Sequence, residues 1–326
     1  MKKILALLLA LWIPAAVLSG CAPQDDSAAS NKLNIVTTIF PAYDWVREIL
    51  GAETDRAEIT MLLDSGVDLH SYQPTVDDIV KISDCDLFLY VGGESDGWVE
   101  DALKNAPNKD RKVIRLLDVL GDSAKAEETV EGMQEEEHDH EEEAEYDEHI
   151  WLSLKNAQVL VAAISEALQE TDPARKDTYA ANAAAYAEKL SALDGEYRAA
   201  VDSGKYKTLL FGDRFPFRYL ADDYGLDYYA AFPGCSAETE ASFETVSFLA
   251  GKMDALGLPC VLTIEGTQHK IAETIVQNTA QKNQQVLTMD SMQAVTANDA
   301  ASGVSYLSIM EKNLSVLKKA LGQEAE

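Results

Sequence analysis

The sequence predicts an α/β protein of two lobes, each built on a four-stranded, mainly parallel sheet, with one long helix joining them and a cleft between. Three observations predict it. Eight short apolar and β-branched runs alternate with helix-period stretches, the pattern of parallel strands linked by crossover helices. These runs fall into two groups of four, and a long helical stripe lies between the groups. A length of 326 residues is about twice that of a common domain, and 47% apolar residues suffice for a core in each half. With 56 acidic against 27 basic side chains and a net charge of −29, the surface repels phosphate backbones and anionic lipid headgroups. Nucleic-acid binding is thereby excluded, and cations are favoured.

In chain order, Lys2 and Lys3 precede an apolar run from Ile4 to Leu18 that ends in Leu18-Ser19-Gly20-Cys21. About fifteen apolar residues are too few for a comfortable bilayer span, so residues 1–20 read as an export signal. Small polar residues over 21–32 read as a flexible tether. The N-terminal lobe, 33–171, carries strands expected at 33–37, 58–63, 87–91 and 113–116. Within it, residues 127–148 hold thirteen acidic side chains with no Lys or Arg. Self-repulsion is expected to leave that segment a disordered loop insertion. Asp172-Pro173 then suggests an N-cap followed by proline at the first helical position. Tyr179, Ala183, Tyr186, Leu190, Leu193, Tyr197 and Val201 recur at steps of three and four, which predicts a linking helix over 172–203 packed on both lobes. Some thirty residues at 1.5 Å each make roughly 45 Å of helix. The C-terminal lobe, 204–326, has strands expected at 208–211, 228–232, 261–264 and 286–288.

The chemistry-bearing residues cluster at strand ends. There are five histidines. His70 lies in Asp68-Leu69-His70-Ser71-Tyr72-Gln73-Pro74-Thr75, between a strand and a helix capped by Thr75. His149 lies in Asp147-Glu148-His149-Ile150-Trp151-Leu152-Ser153. Parallel sheets bind ligands at the carboxyl edge of their strands, and each strand of the second lobe delivers a polar residue there: Asp213, Cys235, Glu265 and Asp290. Imidazoles from one lobe facing carboxylates from the other suit a divalent first-row ion such as Zn²⁺ or Mn²⁺. No His-Glu-x-x-His run marks a metal-dependent hydrolase, and nothing marks a surface adhesin. Beyond Cys21, the cysteines are Cys85, Cys235 and Cys260, so at most one disulfide is possible. Cys85 and Cys260 sit in apolar runs as core thiols.

These segments resemble a known family. Leu18-Ser19-Gly20-Cys21 resembles the lipobox of bacterial lipoproteins, which implies lipidation at Cys21. Residues 33–326 resemble the metal-binding lipoproteins that serve ABC importers of zinc or manganese, through the His70 and His149 segments, Phe217-Arg218-Tyr219 with Tyr224-Gly225-Leu226, residues 238–242, and Leu287-Thr288-Met289-Asp290. The resemblance implies a single metal held in the cleft by one ligand from each of four segments, with His70, His149 and Asp290 carried over directly. The third ligand position falls on Arg214, which cannot coordinate a cation. Asp213 is taken in its place, with Cys235 and Glu265 left open. A thiolate there favours zinc. The implied function is a monomeric, non-enzymatic receptor, lipid-anchored on the outer face of the cytoplasmic membrane. It passes Zn²⁺, or alternatively Mn²⁺, to an ABC permease. His138 and His140 resemble a metal-collecting loop, with plain solvated charge the equal alternative. His269 is expected on the surface.

Overall fold

The apolar runs of the first half become strands because their side chains are buried beneath helices. In chain order the elements are β1 (Leu33–Thr37), α1 (Phe40–Leu50), β2 (Ala57–Met61), α2 (Val76–Asp84), β3 (Leu87–Tyr90), α3 (Val99–Lys104), β4 (Lys112–Arg115) and α4 (Leu116–Leu120). α5 (Leu154–Thr171) and the long α6 (Lys176–Ser203) follow. The second half adds β5 (Thr208–Arg214), α7 (Arg218–Tyr224), β6 (Asp227–Phe232), α8 (Phe243–Leu256), β7 (Cys260–Thr263), α9 (Lys270–Asn278), β8 (Gln285–Thr288), α10 (Ala297–Ala301) and α11 (Tyr306–Ala320). This computed structural model describes residues 32–104, 106–134, 145–236, 240–266 and 269–323. The export signal, Cys21, His138, His140 and residue 238 lie outside the described residues.

Each sheet has four strands, ordered β2-β1-β3-β4 and β6-β5-β7-β8, and every pairing is parallel. Leu87, Phe88 and Leu89 of the inner strand β3 are fully buried, whereas the edge strand β4 is mostly exposed. Inner parallel strands are apolar throughout because helices cover both faces. The expected strand in the second lobe at 208–211 runs on to Arg214, because β5 shifts register against β6 between Phe211 and Arg214. Asp213 therefore lies within a strand and not beyond its end.

The linking helix begins later than the sequence suggests. Pro173–Arg175 forms a separate 3₁₀ turn, because the Asp172 carboxylate accepts from Arg175 Nη1 at 2.6 Å and from the Tyr179 hydroxyl at 2.8 Å instead of capping the helix. The 28 residues of α6 make about 42 Å of helix at 1.5 Å per residue. Its whole predicted stripe, from Tyr179 to Val201, is buried. α6 packs on α1 and α5 on one side and on α7 and α11 on the other. Asn182 donates to the Ile49 carbonyl at 2.9 Å, and the Tyr197 hydroxyl to the Met310 carbonyl at 2.7 Å. One apolar stripe thus serves both sheets, and the core is continuous across them.

Further ties sew the halves together at the His149 segment. The Trp151 indole N–H donates to the Ser291 carbonyl at 2.8 Å, and the Tyr306 hydroxyl donates to the Trp151 carbonyl at 2.7 Å. Trp151 and Tyr306 are essentially buried, so these bonds form away from competing water.

The described part of the acidic segment departs from the sequence expectation. Its described flanks, 127–134 and 145–148, are ordered and packed onto the second lobe. Ala126 and Tyr146 form an antiparallel bridge, Glu127 N–H donates to the Glu145 carbonyl at 2.7 Å, and Gln134 N–H to the Ala231 carbonyl at 2.9 Å. Arg218 pairs with Glu128 at 2.8 Å and Lys252 with Glu131 at 2.9 Å. Counter-charges brought from the second lobe offset the self-repulsion that the local composition alone implies.

Candidate metal centre

His70 is positioned by a loop that the second lobe holds in place. The loop leaves β2, and Asp68 caps a 3₁₀ turn, Leu69–Ser71, by accepting from His70 N–H at 3.0 Å. Ahead of the turn, Ser65 bridges Thr296, and Ala297 N–H donates to the Asp64 carbonyl at 2.8 Å. Gly66 has φ +76°, and a Cβ on it would lie 3.0 Å from the Ala294 carbonyl oxygen. Only glycine accepts both that backbone and that approach at little cost. The His70 Nδ1 lies 2.9 Å from Ser95 Oγ and 3.4 Å from Glu148 Oε2.

His149 is fully buried. One carboxylate oxygen, Asp147 Oδ1, accepts both its backbone N–H at 2.8 Å and its ring Nδ1 at 2.9 Å. Gly234 makes room for the ring: a Cβ there would sit 3.2 Å from His149 Nδ1 and 2.9 Å from the Phe215 carbonyl oxygen.

The two rings meet nitrogen to nitrogen. His70 Nε2 lies 3.2 Å from His149 Nε2. His149 Nδ1 donates its proton to Asp147, and His70 Nδ1, bonded to the Ser95 hydroxyl with Glu148 Oε2 at 3.4 Å, is placed to carry its proton too, which leaves each Nε2 with a bare lone pair. Two such lone pairs repel unless a cation lies between them. Zinc bonded at about 2.05 Å in tetrahedral geometry places two nitrogens about 3.3 Å apart. Burial, and then the neighbouring His149, push His70 down to about 3. The imidazole is therefore neutral, the form that binds a metal.

Cys235 completes the group. Among the described residues, one potential ligand atom each from His70, His149 and Cys235 lie within 4.8 Å of one another. Glu127 Oε1 accepts the Cys235 backbone N–H at 2.8 Å, so the acidic strap holds the turn after β6. Burial first, and then the charges of Asp147 and Glu127, push the Cys235 thiol up. A cavity of about 710 Å³ opens on His70 and Cys235, walled by Trp98, Glu94, Glu127 and Glu148. Glu148 Oε1 accepts from Ser95 N–H at 2.8 Å, while its buried Oε2 has no hydrogen-bond partner. Two imidazoles, a thiol and a carboxylate-lined opening make a site for a borderline-soft divalent cation.

Comparison with known proteins agrees with this chemistry. Residues 35–320 match the family model of ZnuA, the periplasmic component A of a zinc-uptake complex. The chain belongs to the ZnuA family. The zinc-binding lipoprotein AdcA of Streptococcus pneumoniae is 34% identical over 329 residues, covering 99% of this chain and 62% of AdcA. This chain thus spans under two thirds of that relative's length. The high-affinity zinc uptake system protein ZnuA of Bacillus subtilis is 29% identical over 299 residues, covering 89% of this chain and 88% of that protein. Among solved structures, the Zn(II)-bound ZnuA-like domain of S. pneumoniae AdcA superimposes with a TM-score of 0.70 at 30% identity, covering 90% of this chain and all of that domain.

The other residues expected to serve this ZnuA-family site are engaged elsewhere. Asp213 Oδ1 accepts from Arg214 N–H at 2.9 Å and Oδ2 from Ile264 N–H at 3.4 Å, so its carboxylate ties β5 to the end of β7. Asp290 Oδ1 accepts from Met292 N–H at 2.8 Å. Burial, and then the neighbouring Glu265, push it up to about 6. Neither aspartate belongs to the group formed by His70, His149 and Cys235. Glu265 is spent on the loop after β8, accepting from Ser291 N–H at 2.6 Å, Ser291 Oγ at 2.7 Å and Gln293 N–H at 3.0 Å. His269 precedes α9 half-buried, with its Nδ1 unpartnered and hidden from solvent. The ring is therefore less exposed than the surface expectation implied. Sequence reasoning missed Ser95 and Glu148. Ser95 carries no sequence signal, whereas Glu148 stands beside His149.

Proposed function

We propose that the protein is an extracytoplasmic receptor that captures one Zn²⁺ ion and delivers it to the permease of an ABC importer, acting by binding and not by turnover. The observation that carries this reading is the 3.2 Å convergence of two imidazoles whose opposite nitrogens face carboxylates. The zinc-binding names of the relatives support the choice of ion. His70 and His149 are the core of the proposed ligand set. Asp213, whose two oxygens both accept from backbone N–H groups, and Asp290, which lies outside the group of three converging donors, are left out of it. The lipobox-like Leu18-Ser19-Gly20-Cys21 supports a lipid anchor at Cys21 on the outer face of the cytoplasmic membrane. The receptor acts as a monomer whose lobes are 33–171 and 204–326, with 172–203 between them.

Calorimetric titration with Zn²⁺ and Mn²⁺ tests the reading, beside a hydrolytic turnover screen in each metal. The expected result is one tight zinc site, weaker manganese binding and no turnover. A ligand that binds only the folded state stabilises it by about 4 kcal/mol at a thousandfold excess over Kd, so the melting temperature rises with zinc. Unchanged melting curves in both metals refute the receptor.

A further inference from the structure

Two imidazoles alone do not hold zinc tightly, since its protein sites use three or four ligands. The position at which the family resemblance expects a third is Arg214. Its guanidinium pairs with Asp68, in the loop that carries His70, and donates through Nη1 to the Ser236 carbonyl at 3.3 Å. A cation there cannot coordinate a cation. The neighbouring carboxylate, Asp213, spends both oxygens on backbone N–H groups.

The turn that Arg214 grips through Ser236 is the turn that carries Cys235. We propose that the Cys235 thiolate is the third metal ligand, beside His70 and His149. The inference rests on the receptor reading above and names its donor set and selectivity. In tetrahedral zinc with Zn–S near 2.3 Å, nitrogen and sulfur lie about 3.6 Å apart, inside the 4.8 Å limit that the three donor atoms satisfy. The arrangement is built and not incidental. Gly234 lets the His149 ring abut the turn, Glu127 holds the Cys235 N–H, and Arg214 holds the next carbonyl. On binding, the sulfur–hydrogen bond breaks, a sulfur–metal bond forms with the sulfur's electron pair, and the proton leaves through the cavity to solvent. No electrons are transferred. Thiolate ligands favour zinc and softer ions over manganese, which prefers oxygen donors. Cys235 is therefore the residue that sets the cargo.

Cobalt(II) in place of zinc tests this on the intact chain. A cobalt–thiolate bond gives an intense near-ultraviolet charge-transfer band that imidazole and carboxylate ligands lack. The parent protein and Asp213→Ala are expected to show the band with one cobalt bound. Cys235→Ser is expected to lose it, to bind zinc at least about a hundredfold more weakly, beyond the usual effect of losing a ligand's supporting partner, and to discriminate poorly against manganese. Zinc is also expected to protect Cys235 from alkylation in the parent, a readout that requires no variant. A parent that binds cobalt without the band, or whose Cys235 alkylates equally with and without zinc, overturns the thiolate while leaving the receptor intact. A parent that binds neither zinc nor cobalt overturns both.

Discussion

Removing the Asp147 carboxylate is expected to unlock His149 without touching the metal. Asp147 Oδ1 holds the ring Nδ1 at 2.9 Å and the backbone N–H at 2.8 Å, and the side chain is 2% exposed. Its own backbone stays anchored in any substitution, through the Lys125 carbonyl at 2.9 Å and the Tyr219 hydroxyl at 3.0 Å. In Asp147→Ala, two buried donors lose their acceptor, at about 1–3 kcal/mol each, so the metal-free protein melts earlier. The ring is then free to place its proton on Nε2, where the metal should bind. Losing such an orienting partner typically costs about 10–100-fold in metal affinity, or roughly 1.4–2.7 kcal/mol. Asp147→Asn keeps an oxygen in place and loses only charge, so it should fall near the lower end and alanine near the upper. Chelator-competition titrations with zinc measure both. If alanine binds within threefold of the parent, His149 is not oriented through its Nδ1, and the tautomer argument collapses.

Burial pushes Asp44 up to about 6, with the Tyr306 N–H donating to it at 2.8 Å. The native state then holds a proton that the unfolded chain releases above pH 3.8, so stability falls as pH rises from about 4 to 6 and is level above. Asp44→Asn, which can still accept from Tyr306, should flatten that slope and gain at most about 3 kcal/mol at pH 7.5, the value of about two pKa units. Urea unfolding across pH 4–8 that shows the variant weaker at pH 7.5 contradicts the account. Gly234→Ala should weaken zinc binding and lower the melting temperature by the typical overpacking cost of about 1–3 kcal/mol, because its Cβ meets Phe215 and His149 at 2.9 and 3.2 Å. Normal zinc affinity in that variant removes the packing argument. Cys21→Ala should move the protein from the membrane fraction to the medium or leave an unprocessed precursor. A fully processed, membrane-bound variant rules out the anchor.

Local pattern carried most of the fold. Seven apolar positions from Tyr179 to Val201 at helical spacing named the buried face of α6 before any neighbour was known, because a stripe that wide must be covered. Strand existence was equally legible, since runs such as Leu87 to Tyr90 are apolar on both faces. The boundaries that moved did so for tertiary reasons. Asp172 was drawn away from capping by Arg175 and Tyr179, and the flanks of the acidic segment were held by Arg218 and Lys252, which composition within 127–148 cannot reveal.

By itself the sequence determined two parallel α/β halves on one connecting helix, and singled out His70 and His149 by their neighbours. Both follow from interactions between residues close in the chain, which periodicity and motif record. Only the tertiary structure shows which second-lobe donor lies beside them. Asp213, Cys235, Glu265 and Asp290 all sit near strand ends in the sequence. A carboxylate or thiol is free to bind an ion only after the backbone N–H groups have taken their acceptors. Asp213 and Glu265 lost that competition to the N–H groups of Ile264 and of Ser291 and Gln293, contacts that span 26 to 51 residues. Cys235 kept its sulfur beside the two imidazoles.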